Sequence, residues 1–235
     1  LTLPAFLLKL SGEALGGEVG FGLEPAVLQQ LAADIKVLTE QGVALALVLG
    51  GGNLFRGQKL AESGMDRVVG DRMGMLATVM NGLAMGDFLS QAGVANKLFS
   101  SMDIPGVAQG YQRDEVRDLM QQGTVCILSG GTGNPLFTTD TAACLRGVEL
   151  NVDAVLKATN VDGVYDADPK NNAQARKFDT VSYDEVVQRQ LGVMDLTAII
   201  LCKENAMPLV VFDMMAPNVL QDIAAGKSIG TRVVA

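Results

Sequence analysis

The feature that most limits the folds open to this chain is a set of apolar runs that do not alternate with polar residues. They recur at 4–10 (PAFLLKL), 43–49 (VALALVL), 94–99 (VANKLF), 124–129 (TVCILS), 153–157 (DAVLK) and 208–213 (PLVVFD). A strand with one wet face alternates, so continuous runs predict strands covered on both faces, as in parallel sheets. Helical patterns separate them: Leu28, Leu31, Ile35 and Leu38 mark one apolar face, and Leu76, Val79, Met80 and Leu83 another. The alternation predicts an α/β protein, a three-layer αβα sandwich with a mostly parallel central sheet. No Pro-rich linker, charge block or repeat divides the 235 residues, so one domain over 1–235 is expected. The stretch from Asp71 to Gln91, rich in Met, Ala and Gly, reads as a helix apolar all round, suited to a core or a subunit interface.

Composition removes several chemistries. The chain has no histidine, which takes away the usual general base, the Ser-His and Cys-His nucleophile pairs and the commonest metal ligand. Cys126, Cys144 and Cys202 lie in apolar settings without CxxC spacing, and read as reduced core thiols rather than a disulfide framework or zinc site. A net charge of −8 argues against a nucleic-acid surface. No apolar run approaches the roughly 18 residues that cross a bilayer, and the N-terminus lacks a secretory pattern. A cytoplasmic protein with no membrane partner is the expectation.

Small-residue loops follow the expected strands: Ser11-Gly12-Glu13, Gly50-Gly51-Gly52-Asn53, Gly130-Gly131-Thr132-Gly133-Asn134 and Asn160-Val161-Asp162-Gly163. In a parallel sheet the C-terminal strand ends share one edge, where open α/β sheets bind ligands. Glycine permits positive φ and lets N–H groups close on an anion, and a helix N-terminus adds partial positive charge. Lys9 interrupts the apolar run LLKLSG at that edge, and Arg56 follows the triple glycine. Two familiar phosphate motifs fail. Gly226-Lys227-Ser228 mimics the end of a Walker A loop, but Gln221 stands where its first glycine belongs, and Phe55 spoils a Rossmann pattern begun at Gly50 and Gly52. Two sets of glycine loops fit a donor triphosphate facing an acceptor. Phosphoryl transfer asks mainly for positioning and charge neutralisation, with Mg²⁺ carried largely by the phosphates. A phosphate acceptor, with a second pKa of about 6, is already a dianion at neutral pH and needs no general base. Lys9, Arg56 and Lys157 supply the cations.

The runs LKLSGEAL (8–15), GGGNLFRG (50–57), DRMGMLAT (71–78), GTGNPLFTTD (131–140) and KATNVDGVY (157–165) together resemble the bacterial UMP kinase family, within the amino acid kinases of carbamate kinase-like fold. The resemblance extends through Gly226 and Gly230-Thr231. It implies transfer of the ATP γ-phosphoryl group to UMP, giving UDP and ADP with Mg²⁺, in pyrimidine nucleotide biosynthesis. The N-terminal part would serve mainly UMP and the C-terminal part mainly ATP. By the same resemblance Lys9, Leu10, Ser11, Gly12, Gly52 and Arg56 hold ATP phosphates, while Thr159, Tyr165 and Asp168 line the adenosine side. Gly51, Asp71, Thr132, Gly133, Asn134, Pro135, Leu136, Phe137, Thr138 and Thr139 would hold UMP. A carboxylate at Asp71 can accept from both ribose hydroxyls; the alternative is a cap on the following helix.

The implied catalytic set is Lys9, Arg56, Asp140, Asp195 and Lys157. Asp140 is read as orienting Lys9 and Lys157, since a carboxylate aimed at phosphate would repel it. For Asp195 a helix N-cap ahead of Leu196 is the other reading. Members of the family are typically homohexamers activated by GTP and inhibited by UTP. Gly17, Glu18, Val19, Gly20, Phe21 and Gly22 resemble the region tied to the GTP response, or else form a plain glycine loop. Arg72 stands where histidine is frequent in the family, which bears on pH response and interface. Two rivals keep the fold: a kinase of a small carboxylate or carbamate, against which 132–140 counts, and a nucleotide-binding storage or regulatory module, against which Lys9, Arg56 and Asp140 count.

Overall fold

The computed structural model describes residues 4–55, 64–167, 169, 171–172 and 174–235. Among these, β1 (Ala5–Leu10), β2 (Ala44–Leu49), β3 (Asn96–Ser100), β4 (Gln109–Gly110), β5 (Val125–Ser129), β6 (Ala154–Thr159), β7 (Thr180–Ser182), β8 (Leu209–Asp213) and β9 (Thr231–Val234) form one sheet in the order β4-β3-β5-β2-β1-β6-β8-β9-β7. All neighbours are parallel except β8 and β9. Every expected apolar run is a strand. The short β4, β7 and β9 were not foreseen, because segments of two to four residues offer too little period to read.

The helices are α1 (Gly12–Leu15), α2 (Pro25–Glu40), α3 (Arg67–Gln91), α4 (Arg113–Gln121), α5 (Thr139–Leu150), α6 (Tyr183–Gln188), α7 (Leu196–Glu204) and α8 (Val219–Ala224). Successive strand residues enter opposite cores. Leu7 and Val155 pack with α4 to α7 on one face, whereas Leu8, Leu10 and Leu156 pack with α2, α3 and α8 on the other. The sandwich therefore has three layers. Leu28, Leu31, Ile35 and Leu38 of α2 are all buried, as their spacing requires. Cys126, Cys144 and Cys202 are buried and free. Among the described residues no helix is long and apolar enough to cross a membrane.

Helix α3 departs from expectation. Of the face marked by Leu76, Val79, Met80 and Leu83, only Val79 is buried; the other three are about half exposed. The buried side instead includes Gly70, Ala77, Thr78, Asn81 and Gly82. Residue size decides this. A Cβ on Gly82 would lie 2.6 Å from Leu98 Cδ1, so small residues let the helix lie close against the sheet and its larger residues turn outward.

Candidate active site

Lys9 on β1 and Lys157 on β6 are paired across the parallel ladder. Both occupy the α5 side of the sheet, in step with Leu7 and Val155. Asp140, in the first turn of α5, lies between them: Lys9 Nζ is 2.7 Å from one carboxylate oxygen and Lys157 Nζ 2.7 Å from the other. Lys157 also donates to the Val193 carbonyl at 2.5 Å. Burial pushes the Asp140 carboxyl up, but the charges of Lys9 and Lys157 outweigh it and hold the group below its ordinary value. Burial lowers Lys157, an effect that Asp140 opposes and Lys9 reinforces. Two cations against one carboxylate leave a net positive centre, as a phosphoryl-transfer site needs.

The start of α5 is locked to the start of α7. Thr138 caps α5, accepting from Asp140 N at 3.0 Å and Thr141 N at 3.3 Å. Its hydroxyl donates to Asp195, which also accepts from Thr141 Oγ1 and caps α7 through Ala198 N. Asp195 thus is the helix cap that its place before Leu196 allowed, and it reaches the lysine centre through the threonines beside Asp140. Thr141 and the Val193 carbonyl had no distinguishing signal in the sequence.

Two cavities flank this centre at the C-terminal edge of the sheet. One, of about 430 Å³, brings together Gly51, Gly52, Asp71, Thr132, Asn134, Phe137, Thr138 and Thr139. Arg67, not singled out from sequence, also lines it and holds Asp71 through Nε at 3.0 and 3.1 Å. Asp71 does not cap its helix; Asp66 does, accepting from Val69 N at 3.1 Å. The Asp71 carboxylate instead accepts from Leu136 N at 2.7 Å, across 65 residues, fixing a loop tip where Leu136 has φ 73°. The second cavity, of about 550 Å³, is lined by Lys157, Thr159, Asn160, Gly163, Tyr165 and residues 189–193. There Tyr165 Oη donates to Asp162 at 2.6 Å, and Lys177 joins the same carboxylate at 3.1 Å.

The triple glycine answers to close packing rather than to unusual dihedrals. None of Gly50, Gly51 and Gly52 has positive φ. A Cβ on Gly50 would sit 2.7 Å from Gly12 N, and one on Gly51 would sit 2.8 Å from Gly74 O of α3. The loops after β1 and β2 therefore meet backbone to backbone, which places Leu10 and Ser11 beside Gly50 and Gly12 beside both Gly50 and Gly52; Ser11 caps α1 through Ala14 N at 3.3 Å. In the later loop the expectation of positive φ does hold, for Gly130, Gly131 and Gly133. Pro135 continues that loop toward Leu136. The segment Gly17–Gly22 makes a short 3₁₀ turn with Val19 and Phe21 strongly exposed, and Gly22 is bonded to Asn53 through both its N–H and its carbonyl. Arg56 and Asp168 lie outside the described residues.

Known proteins agree with this architecture. The model of the amino acid kinase family matches residues 4–213. A protein of Colwellia psychrerythraea named uridylate kinase is 55% identical over 231 residues, covering 97% of this chain and 94% of its own length. One of Haemophilus influenzae with the same name is 53% identical over 227 residues, covering 97% and 96%. The crystal structure of UMP kinase from Bacillus anthracis superposes with a TM-score of 0.95 at 34% identity, covering 99% of this chain and 96% of that one. UMP kinase from Ureaplasma parvum gives 0.93 at 32% identity with both chains covered in full. The chain belongs to the amino acid kinase family, on the branch of the uridylate kinases.

Proposed function

We propose that this chain transfers the γ-phosphoryl group of ATP to UMP, yielding UDP and ADP in pyrimidine nucleotide biosynthesis. One observation carries the reading: a carboxylate-bridged lysine pair stands between two cavities at the ligand-binding edge of the sheet. UMP fits the cavity bounded by Asp71 and residues 132–139, with Gly51 at its inner end. ATP fits the cavity bounded by Lys157, Thr159 and Tyr165, its phosphates reaching Lys9, Leu10, Ser11, Gly12 and Gly52, with Arg56 and Asp168 as further contacts. A UMP phosphate oxygen attacks the γ-phosphorus while the bond to the β–γ bridging oxygen breaks, and ADP leaves with that electron pair. Lys9 and Lys157 stabilise charge on the transferring group, Asp140 keeps their ammonium groups aimed, and Asp195 keeps the start of α5 in place.

The Asp140 carboxylate is committed to its two lysines. Mg²⁺ is accordingly assigned to the nucleotide phosphates, where it would offset their charge. Activation by GTP is assigned to the loop Gly17–Gly22, whose attachment to Asn53 links it to the triple glycine, and UTP is assigned as an inhibitor. A cytoplasmic homohexamer is proposed, with a second copy covering the exposed apolar side of α3.

The test is a coupled assay offering ATP with UMP, CMP and acetylglutamate in turn. UMP should be the preferred acceptor by a wide margin. Turnover with acetylglutamate and none with UMP would move the chain to another branch of the family. Ligand binding without any turnover would make it a storage or regulatory module.

A further inference from the structure

Helix α3 carries Thr78 and Asn81, three residues apart and only 2% and 0% exposed, and each holds a different glycine loop. The Thr78 hydroxyl donates to Met75 O at 2.6 Å and accepts from Gly130 N at 2.8 Å. Asn81 Nδ2 donates to Gly50 O and to Asn53 Oδ1, both at 2.7 Å, and its own Oδ1 accepts from Asn53 Nδ2 at 3.1 Å. Asn53, also 0% exposed, passes on to Gly22 O at 2.6 Å. Buried polar groups are tolerated only when satisfied, and here each is satisfied by the backbone of a ligand loop or by the neighbouring amide. From the other side Ser101 Oγ donates to Gly131 O at 2.6 Å, and Arg146, stacked on Tyr111, donates to Ser101.

We propose that Thr78 and Asn81 are positioning residues for phosphoryl transfer. They act as rungs on one rigid helix, setting the spacing between loop 50–53 and loop 130–134 and so the alignment of the two phosphates. This rests on the kinase reading above. Thr78 lines the acceptor cavity, but its only O–H donor is committed to Met75 O and one of its lone pairs to Gly130 N, so the role argued for it runs through Gly130. The two residues have separable effects. Gly131, Thr132 and Asn134 line the acceptor cavity; Gly51 and Gly52 line it too, but their loop also packs through Gly12 against the loop after β1, the side assigned to the donor phosphates.

The experiment measures kcat and both KM values, with melting temperatures, for wild type, Thr78→Val, Thr78→Ser and Asn81→Leu. Thr78→Val leaves the Gly130 N–H without its acceptor and should raise the UMP KM about tenfold, with kcat and the ATP KM near wild type. Thr78→Ser keeps the hydroxyl and should restore the UMP KM. Asn81→Leu should lower kcat by about 10²-fold, the scale of a misplacement of ~1 Å. Should either variant fail to fold, Thr78→Ala and Asn81→Asp make the same comparison. Wild-type UMP turnover with an unaltered Thr78→Val, or a Thr78→Ser as defective as the valine, overturns the positioning role and leaves the kinase reading standing. A wild-type chain that does not phosphorylate UMP sinks both.

Discussion

Lys9 and Lys157 are register partners on neighbouring parallel strands, so two cations leave the sheet side by side and meet on one carboxylate. Like charges this close in a poorly solvated place repel, and Asp140 is what makes the pair tolerable. Asp140→Asn keeps the shape and deletes that charge. It should lower kcat by about 10²–10³-fold and destabilise the fold by about 3 kcal/mol. Steady-state kinetics and urea unfolding read the two effects; near-normal turnover would remove Asp140 from the orientation of the lysines.

The same carboxylate gives a pH dependence with a definite sign. Its folded pKa lies below the ordinary 3.8, so its contribution to stability is complete above that value and is lost as pH falls through the lower, folded pKa. The stability gap between wild type and Asp140→Asn should be level from pH 7 to about pH 4 and close below pH 3.8. Urea titrations across this range check it. A gap that closed between pH 7 and 5 would mean that some other group sets it.

The ribose contact proposed for Asp71 draws support from what surrounds that carboxylate. Arg67 and the Leu136 amide hold the carboxylate at the cavity wall, and it retains acceptor capacity for hydroxyl donors. Asp71→Asn should raise the UMP KM about tenfold with a small change in kcat, and narrow the preference for UMP over dUMP. Initial rates with both nucleotides decide, and an unchanged UMP KM would leave Asp71 a purely structural tie to Leu136.

Asp195 joins a cap to a clasp, and the two are separable by substitution. Asp195→Ala should cost about 1 kcal/mol through the lost cap on α7 and should also lower kcat, because Thr138 and Thr141 lose their common acceptor. Asp195→Ser is short enough to cap but not to reach both threonines. It should regain melting temperature without regaining kcat. Recovery of both together would reduce Asp195 to its capping role.

Much of this was legible because the signals were long or chemically rare. Six unbroken apolar runs required strands covered on both faces, and a lysine inside PAFLLKL had to emerge at a strand end. Other features were hidden for stated physical reasons. The positions of Thr78, Asn81 and Ser101 resemble ordinary helix and loop positions until the fold brings Gly50, Gly130 and Gly131 against them. Triple glycine pointed to a phosphate through its freedom of φ, yet much of its cause is the approach of Gly12 and Gly74. The inward side of α3 was misread because hydrophobicity ranked Leu76 above Ala77, whereas clearance against the sheet favoured the smaller residue.

That outward side of α3 makes the last prediction. Val69, Met73, Leu76, Met80 and Leu83 are each 39–57% exposed and spaced by four, three, four and three residues. This is the repeat by which one helix packs along another, and its apolar stripe is left half exposed by the described residues. A second copy presenting the same helix would satisfy both stripes at once, since a two-fold interface is self-complementary. Met80→Glu places a charge in the middle of that seam and should shift the sedimentation coefficient to that of a smaller species, while the helix itself, with Met80 solvent-facing in the isolated chain, stays folded. Because Asp71, Thr78 and Asn81 sit on the opposite side of the same helix, the dissociated variant should also bind UMP more weakly. A sedimentation profile identical to wild type would show that α3 faces water in the assembled protein.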